Sequence, residues 1–420
     1  MIKRVVADYP LALIALLLTA FGVAMVYSAG QTDARVVADM TAWQRQLMWC
    51  GVALGVAYGV SRASVRFLEW VTLPAYVLSL VLLAVTLLFG SGAGTARSMS
   101  GWLTIGGVRL GQPAELAKVA VVLMLARLFA TRREAPKSLV DLLAPAAAVL
   151  VPWLLVMAQP DLGTGMVFVG IFFGMLFWAG TRWPLLLLVA SPGVSLVLAF
   201  STGLWGAWFL LLIALVLWYK PYVVEGVVLI VANVVMGVAA PVLWERLNPY
   251  QQGRILVFID PQRDPKRTGY HVIQSQIAIG SGGLTGRGFL EGTQKEGAFL
   301  PAQTTDFIFA VLGEELGFLG VSVALTLFVF LFLRVIRVAS RANDGFSSLI
   351  AFGLLSSWFV HVVVNVGMTL NLMPVTGIPL PFFSYGGSFM LSCWLAVGIL
   401  IRVSAEGRGE ADALPIGLRR

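Results

Sequence analysis

The stretch Glu69-Trp-Val-Thr-Leu-Pro-Ala-Tyr-Val-Leu-Ser-Leu-Val-Leu-Leu-Ala-Val-Thr-Leu-Leu-Phe89 decides the fold class, because after Glu69 it runs for 20 residues without a charge. A helix that crosses the hydrocarbon core of a bilayer needs roughly 17 to 25 mostly apolar residues. Clear runs of that kind also lie near 10 to 28, 113 to 130 and 139 to 157. Shorter or more broken ones lie near 45 to 60, 162 to 180, 184 to 201, 203 to 219, 222 to 245, 307 to 333, 347 to 370 and 381 to 402. The sequence therefore predicts an all-α polytopic membrane protein with about 12 transmembrane helices. Composition agrees: 59% of the 420 residues are apolar and 12% charged, against about 45–50% and 25% in soluble domains. A mean hydropathy of +0.88 is too high for one signal peptide or anchor to account for.

Between 184 and 245, Pro184, Pro192, Gly203 and Pro221 interrupt one apolar region. Three helices or one helix plus a re-entrant pair both fit, and either choice keeps an even number of spans. An even count puts both termini on one side, and basic residues beside short loops say which. With a cytoplasmic amino terminus, 17 of the 29 Lys and Arg residues fall inward, Arg62, Arg132, Lys137, Arg182, Arg337 and Arg402 among them. The short outward loops hold Arg35, Arg45, Arg97 and Arg109. The expected organisation is a single integral membrane domain over 1–420, with a large extracytoplasmic loop at 246–306 and a cytoplasmic tail at 403–420.

That loop is where chemistry is expected, since connections of such length in compact proteins are functional or disordered. Apolar residues interleave through Arg254-Ile-Leu-Val-Phe-Ile-Asp-Pro261 and Tyr270-His-Val-Ile-Gln-Ser-Gln-Ile-Ala-Ile279, the pattern of short helices at the interface. The two cysteines, Cys50 and Cys393, lie in apolar runs, so neither a disulfide framework nor a cysteine metal site is supported. The two histidines, His271 and His361, do not make a zinc site.

Charges within spans cost roughly 2.5 to 3.5 kcal/mol each on insertion scales and are functional candidates by default. Glu115 and Lys118 stand at i and i+3 behind Gln112-Pro113, on one helix face. They either neutralise each other or hold an anionic headgroup. Asp306 is a lone carboxylate in Leu300-Pro-Ala-Gln-Thr-Thr-Asp306, at the border of the long loop and the next span. Its plain alternative is a helix-start residue on the positive end of the dipole. Glu314 and Glu315 follow, and are expected to line the same cavity or pair with Lys118. Asp161 sits in Gln159-Pro-Asp-Leu-Gly163, where a turn or cap role is the stronger reading. The run Gly280-Ser-Gly-Gly-Leu-Thr-Gly-Arg-Gly288 fits neither nucleotide-binding glycine motif. It reads as loop turns, although its N–H groups beside Arg287 offer an anion cradle. Gly51, Gly55 and Gly59, four apart, are expected at a close helix contact.

These motifs together resemble the SEDS family. Gly101-Trp-Leu103, Gln112-Pro-Ala-Glu-Leu-Ala-Lys118 and Gln159-Pro-Asp-Leu-Gly-Thr164 are similar to the family's middle helices and turns. Tyr270-His-Val-Ile-Gln-Ser-Gln-Ile-Ala-Ile-Gly-Ser-Gly-Gly283, Thr305-Asp-Phe-Ile-Phe-Ala310 with Glu314-Glu315, and Pro379-Leu-Pro-Phe-Phe-Ser-Tyr-Gly-Gly387 continue the likeness. Gly292-Thr-Gln294 and Ile378-Pro-Leu-Pro381 resemble the elongation branch over the division paralogue. The likeness covers about 100 to 180 and about 246 to 402. It departs at Ala302 and Thr304, where the family often has an acidic and a basic or histidine residue, and in the two extra spans added to a ten-helix core.

The resemblance implies a peptidoglycan glycosyltransferase that polymerises lipid II into β-1,4 glycan strands and releases undecaprenyl diphosphate, outside the bacterial cytoplasmic membrane. It implies Asp306 as catalytic base. The expected substrate-binding set is Lys118, Glu115, Arg109, Arg254, Arg287, Gln112, Ser384 and Tyr385. A divalent cation, Mg²⁺ or Mn²⁺, is a candidate to share the leaving charge, although the sequence shows no dedicated site. The implied partner is a class B penicillin-binding protein, a transpeptidase. The alternative of another class is a lipid-linked precursor flippase or transporter, in which the same charges form a gated path; no internal repeat supports it.

Overall fold

The computed structural model describes residues 8–32, 42–92, 101–105, 108–132, 134–247, 249–264, 269–297, 299–300 and 302–413, with the backbone alone at 105, 108–110, 249–250 and 408–413. The first eight helices and one hairpin are α1 (Tyr9–Gly30), α2 (Ala42–Ser61), α3 (Val65–Phe89), β1 (Leu103–Ile105), β2 (Val108–Gly111), α4 (Pro113–Ala130), α5 (Leu139–Ala158), α6 (Leu162–Trp178), α7 (Trp183–Leu198) and α8 (Thr202–Tyr219). They are followed by α9 (Val223–Arg246), α10 (Pro249–Ile259), α11 (Tyr270–Gly282), α12 (Thr293–Glu296), α13 (Ile308–Ser340), α14 (Gly345–Thr369) and α15 (Gly387–Ala413). The twelve expected spans are α1 to α9 and α13 to α15. Among the described residues eight helices are long and apolar enough to cross a membrane, and α6 and α7 are shorter apolar helices. The chain is a multi-pass membrane protein.

Local chemistry sets the helix starts. Ser138 and Asp141 form a reciprocal capping box on α5. Asp8, Ser64, Asp161 and Asp344 each accept a backbone N–H of the first turn of α1, α3, α6 and α14, satisfying donors a helix start otherwise strands. Asp161 is thus a cap, the stronger of its two sequence readings.

α14 is the central helix, packed on α4, α6 and α13, with α2 against α15 and α1 against α13 around it. The start of α1 is tied to α15 and α13: Ser404 donates to Asp8 Oδ2 at 3.1 Å, and Arg334 grips both Asp8 oxygens at 2.7 and 2.9 Å. This end is called the terminal face. The opposite end, where α1 finishes and α4 begins, carries the long loop and is called the loop face.

Region 183–246 resolves the open alternative as three helices. α7, α8 and α9 pack on one another around Leu188, Leu212 and Leu229, a small core separate from the main one.

One expectation is corrected. Gly51, Gly55 and Gly59 meet nothing within 4 Å of an added Cβ. α2 packs through the other stripe, Gln46, Cys50, Ala53 and Ala57, and the close approach there is made by Gly398, whose added Cβ would lie 2.6 Å from the Ala57 carbonyl. α15 runs on to Ala413, with Val403 and Ser404 buried.

Candidate active site

At the loop face two non-helical segments are strapped together. One is the turn 302–307, which feeds α13; the other is 371–386, between α14 and α15. Tyr385 N–H donates to Thr304 O at 2.9 Å and the Ser384 hydroxyl to Thr305 O at 2.6 Å. Ser384 Oγ also accepts Leu380 N–H at 2.8 Å. Gln46 of α2 holds the second segment from beneath, donating to Ser384 O and accepting Gly386 N–H, both at 3.1 Å. Asn365, near the end of α14, divides one amide between both segments, donating to Asp306 O at 2.9 Å and Ile378 O at 2.8 Å. Gln303 fixes the outer end of the turn by donating to Ala29 O at 2.8 Å.

This frame holds the partly buried carboxylate of Asp306. A Cβ on Gly377 would stand 3.3 Å from Asp306 Oδ2, and Gly377 has φ +77°; both the approach and the backbone favour glycine there. Burial raises the Asp306 carboxyl from 3.8 to about 6, against the pull of the Arg254 guanidinium and the Thr305 hydroxyl, with Asp161 adding a further upward push. Arg254 reaches in from α10 and donates to Thr376 O at 3.5 Å. His271, at the start of α11, stacks on Phe307 with ring centres 5.9 Å apart and planes 14° apart. Burial first, and then Arg254, lowers its pKa and so favours the neutral ring.

The substrate-binding candidates do not gather in one place. Arg254, Ser384 and Tyr385 are at this frame. Gln112 is one step away, its side-chain amide donating to Asp161 Oδ2 at 3.0 Å. Arg109 lies on β2 opposite Thr104, and its side chain is outside the described residues. Arg287 is exposed in the glycine run, where no described contact joins it to Asp306.

Lys118 and Glu115 are enclosed, each 3% exposed. Lys118 Nζ donates to Glu115 Oε1 at 3.0 Å and to His361 Nε2 at 2.8 Å. The pair lines a cavity of about 20 Å³ with Phe389, Ser392 and Trp358, room for about one water. Glu314 and Glu315 do neither thing expected of them. Glu315 accepts from the buried Lys295 at 2.7 Å and from Ser28 at 2.5 Å. Glu314 accepts Gln294 N–H at 2.8 Å. Lys295 is nearer in the chain than Lys118 and comes from the loop itself, so it takes the charge.

The glycine run is a splice. Gly317 has φ +60° and breaks α13, which deprives the carbonyls before it of helical donors. Arg287 N–H and Gly288 N–H supply them, donating to Glu314 O and Glu315 O at 3.0 Å each. Beyond the break, Phe318 N–H and Leu319 N–H donate to Gly283 O and Leu284 O at 2.9 and 3.1 Å. The two amides offered as an anion cradle are therefore committed to α13.

Among the described residues no three His, Cys, Asp or Glu side chains gather into a metal-binding group. The Asp161 carboxylate is engaged by Thr164 N–H, the Thr164 hydroxyl and Gln112. These residues do not fit a preformed Mg²⁺ or Mn²⁺ site.

Residues 9–205 and 202–409 match the family described as cell cycle protein, FtsW/RodA/SpoVE. The chain is 36% identical over 403 residues to the peptidoglycan glycosyltransferase MrdB of Escherichia coli (strain K12), covering 95% of this chain and 94% of that protein. It is 34% identical to the peptidoglycan glycosyltransferase RodA of Treponema pallidum, covering 95% and 98%. Among solved structures, its fold is similar to a chain of a peptidoglycan synthase complex that coordinates polymerization and crosslinking (TM-score 0.71, 29% identity, covering 95% and 98%). It is also similar to the rod shape determining protein RodA of Thermus thermophilus (TM-score 0.60, 27% identity, covering 94% and 96%).

Proposed function

The chain belongs to the FtsW/RodA/SpoVE, or SEDS, family of cell cycle proteins, and from that premise we infer that it is a peptidoglycan glycosyltransferase working through Asp306. The substrate is lipid II, and the product is a β-1,4 glycan strand. Asp306 takes the proton of the acceptor GlcNAc 4-hydroxyl as that oxygen bonds to the anomeric carbon of the donor. The bond from that carbon to the diphosphate oxygen breaks, and its electron pair leaves on undecaprenyl diphosphate. An α-linked donor gives a β product in one displacement, so one base suffices and no enzyme nucleophile is needed.

The observation that carries this reading is a carboxylate raised to about 6 with a guanidinium acting on it at the loop face. A base with its pKa near the operating pH is ionised yet still basic. Arg254 is placed to stabilise charge developing on the leaving diphosphate. The enzyme works in the bacterial cytoplasmic membrane with the loop face outward and a class B penicillin-binding protein as its crosslinking partner. The inward bias of basic residues supports the orientation, and the likeness to a chain of a synthase complex supports the partner.

The test is glycan polymerisation by the purified protein from labelled lipid II, wild type against Asp306→Asn. The variant keeps the size of the side chain and cannot accept the proton, so the rate should fall by about 10²- to 10⁴-fold. A folded variant retaining more than about a tenth of the rate removes Asp306 from the role.

A further inference from the structure

His361 and Asn365 stand four apart on one face of α14. Lys118 has only protons to give, so its 2.8 Å contact makes His361 Nε2 the unprotonated nitrogen. The ring proton is then on Nδ1, where it is donated to Pro379 O at 2.9 Å. His361 is 1% exposed, and Lys118 and Glu115 are the charged groups at its Nε2 edge, with Phe389 against the ring at 4.8 Å. The neighbouring carbonyl, Ile378 O, is held by Asn365, whose same amide nitrogen holds Asp306 O. Two consecutive carbonyls of the segment strapped to the Asp306 turn are thus fixed from one helix face, one of them by a ring whose tautomer a buried ammonium dictates.

Resting on the reading of Asp306 as base, we propose that His361 is a positioning residue, which in the tautomer set by the buried Lys118 donates its Nδ1 proton to the Pro379 carbonyl and so places the Asp306 carboxylate. Lys118 acts on the reaction through His361, without touching the diphosphate. Misplacement of a catalytic group by about 1 Å costs about a hundredfold in rate, so a hydrogen bond at this remove reads out in turnover.

The experiment exploits the two ends of the imidazole. The amide nitrogen of an asparagine stands where Nδ1 stands and can still donate to Pro379 O. The amide oxygen of a glutamine reaches the place of Nε2 and can still accept from Lys118. Steady-state lipid II polymerisation and thermal melting are measured for His361→Leu, His361→Asn, His361→Gln and Asp306→Asn. His361→Leu should lose on the order of 10²-fold in kcat with KM within about twofold. His361→Asn should recover most of that loss, and His361→Gln should not. Recovery by Gln, by both or by neither overturns the proposal, because the ring would then serve only to accept from Lys118 or not matter through Pro379. A rise in KM at unchanged kcat overturns it as well, since that marks a substrate contact. Should the leucine variant fail to fold, the Asn and Gln variants compared with wild type still decide. An active Asp306→Asn protein defeats the base reading; an inactive one beside His361 variants of wild-type rate defeats this proposal alone.

Discussion

α14 and the α7–α9 unit both bury polar side chains in apolar surroundings, and they use them differently. α14 buries 72% of its most apolar stretch and α8 only 6%. In the side unit the polar groups answer one another. Asn233 donates to Ser191 Oγ at 2.7 Å and Leu229 O at 2.8 Å, Ser195 donates to Asn233 Oδ1 at 2.5 Å, and Trp208 donates to Ser195 at 3.1 Å. These bonds begin and end inside three helices. The protons that His361 and Asn365 donate leave the helix and end on loop carbonyls. A polar residue in a membrane span is costly in either case; the destination of its hydrogen bonds is what separates glue between helices from support of a reacting group.

Substitutions can break this contrast, and the largest effect belongs to Asp306 itself. Beyond the loss of rate already set out, Asp306→Asn should melt at the same or a higher temperature than wild type. The folded carboxyl is raised from 3.8 to about 6, so the fold disfavours its ionised form and is penalised at every pH above that range. A stability loss that tracks the rate loss would return Asp306 to a structural role.

Asn365→Leu comes next. It frees the Asp306 and Ile378 carbonyls together, and kcat should fall by about 10- to 10²-fold in lipid II polymerisation, with little change in KM. A rate like the wild type's would show that the strap through Ser384 and Tyr385 holds the turn alone.

Arg254→Gln sharpens the electrostatic half of the comparison. The guanidinium holds the Asp306 carboxyl below where burial alone would put it, so its removal raises that pKa further. The acid limb of kcat/KM, expected near pH 6, should move to higher pH in a pH–rate profile, because the base is lost as pH falls through a now higher value. A limb that stays put or moves down would separate Arg254 from Asp306.

The smallest effect on rate is expected in the side unit. Asn233→Leu should leave turnover within about twofold and lower stability by roughly 1 kcal/mol, as interhelical hydrogen bonds in membranes do, read as a lower melting temperature. A rate loss comparable to that of Asn365→Leu would erase the distinction between the two regions.

The spans were legible because a bilayer imposes a length and a polarity on each, and Asp306 was legible because a charge at the border of a span is expensive. What escaped were the neutral partners. Asn365, His361 and Gln46 carry no charge, and a reading weighted to Asp, Glu, Lys and Arg passes over an amide and an imidazole four apart in α14. His361 was considered only as a zinc ligand. Pairings across hundreds of residues, such as Ser28 with Glu315, have no signature in local spacing, which is why the sequence offers Glu315 the Asp306 cavity or Lys118 when Lys295 is its partner. The glycines at 51, 55 and 59 show the reverse error: fourfold spacing identifies a smooth helix face and leaves open whether anything rests on it.

The splice at Gly317 governs where the chain can change length. Surface loops rich in glycine are ordinarily where insertions are absorbed. Here the carbonyls of Gly283 and Leu284 and the amides of Arg287 and Gly288 are matched one for one to α13. A residue added between Leu284 and Arg287 would slide the last two matches out of step and leave the Glu314 and Glu315 carbonyls, inside the protein, without donors. The segment that composition marks as the most pliable is held to a fixed gauge, and an epitope tag or a natural insertion would be tolerated in it least.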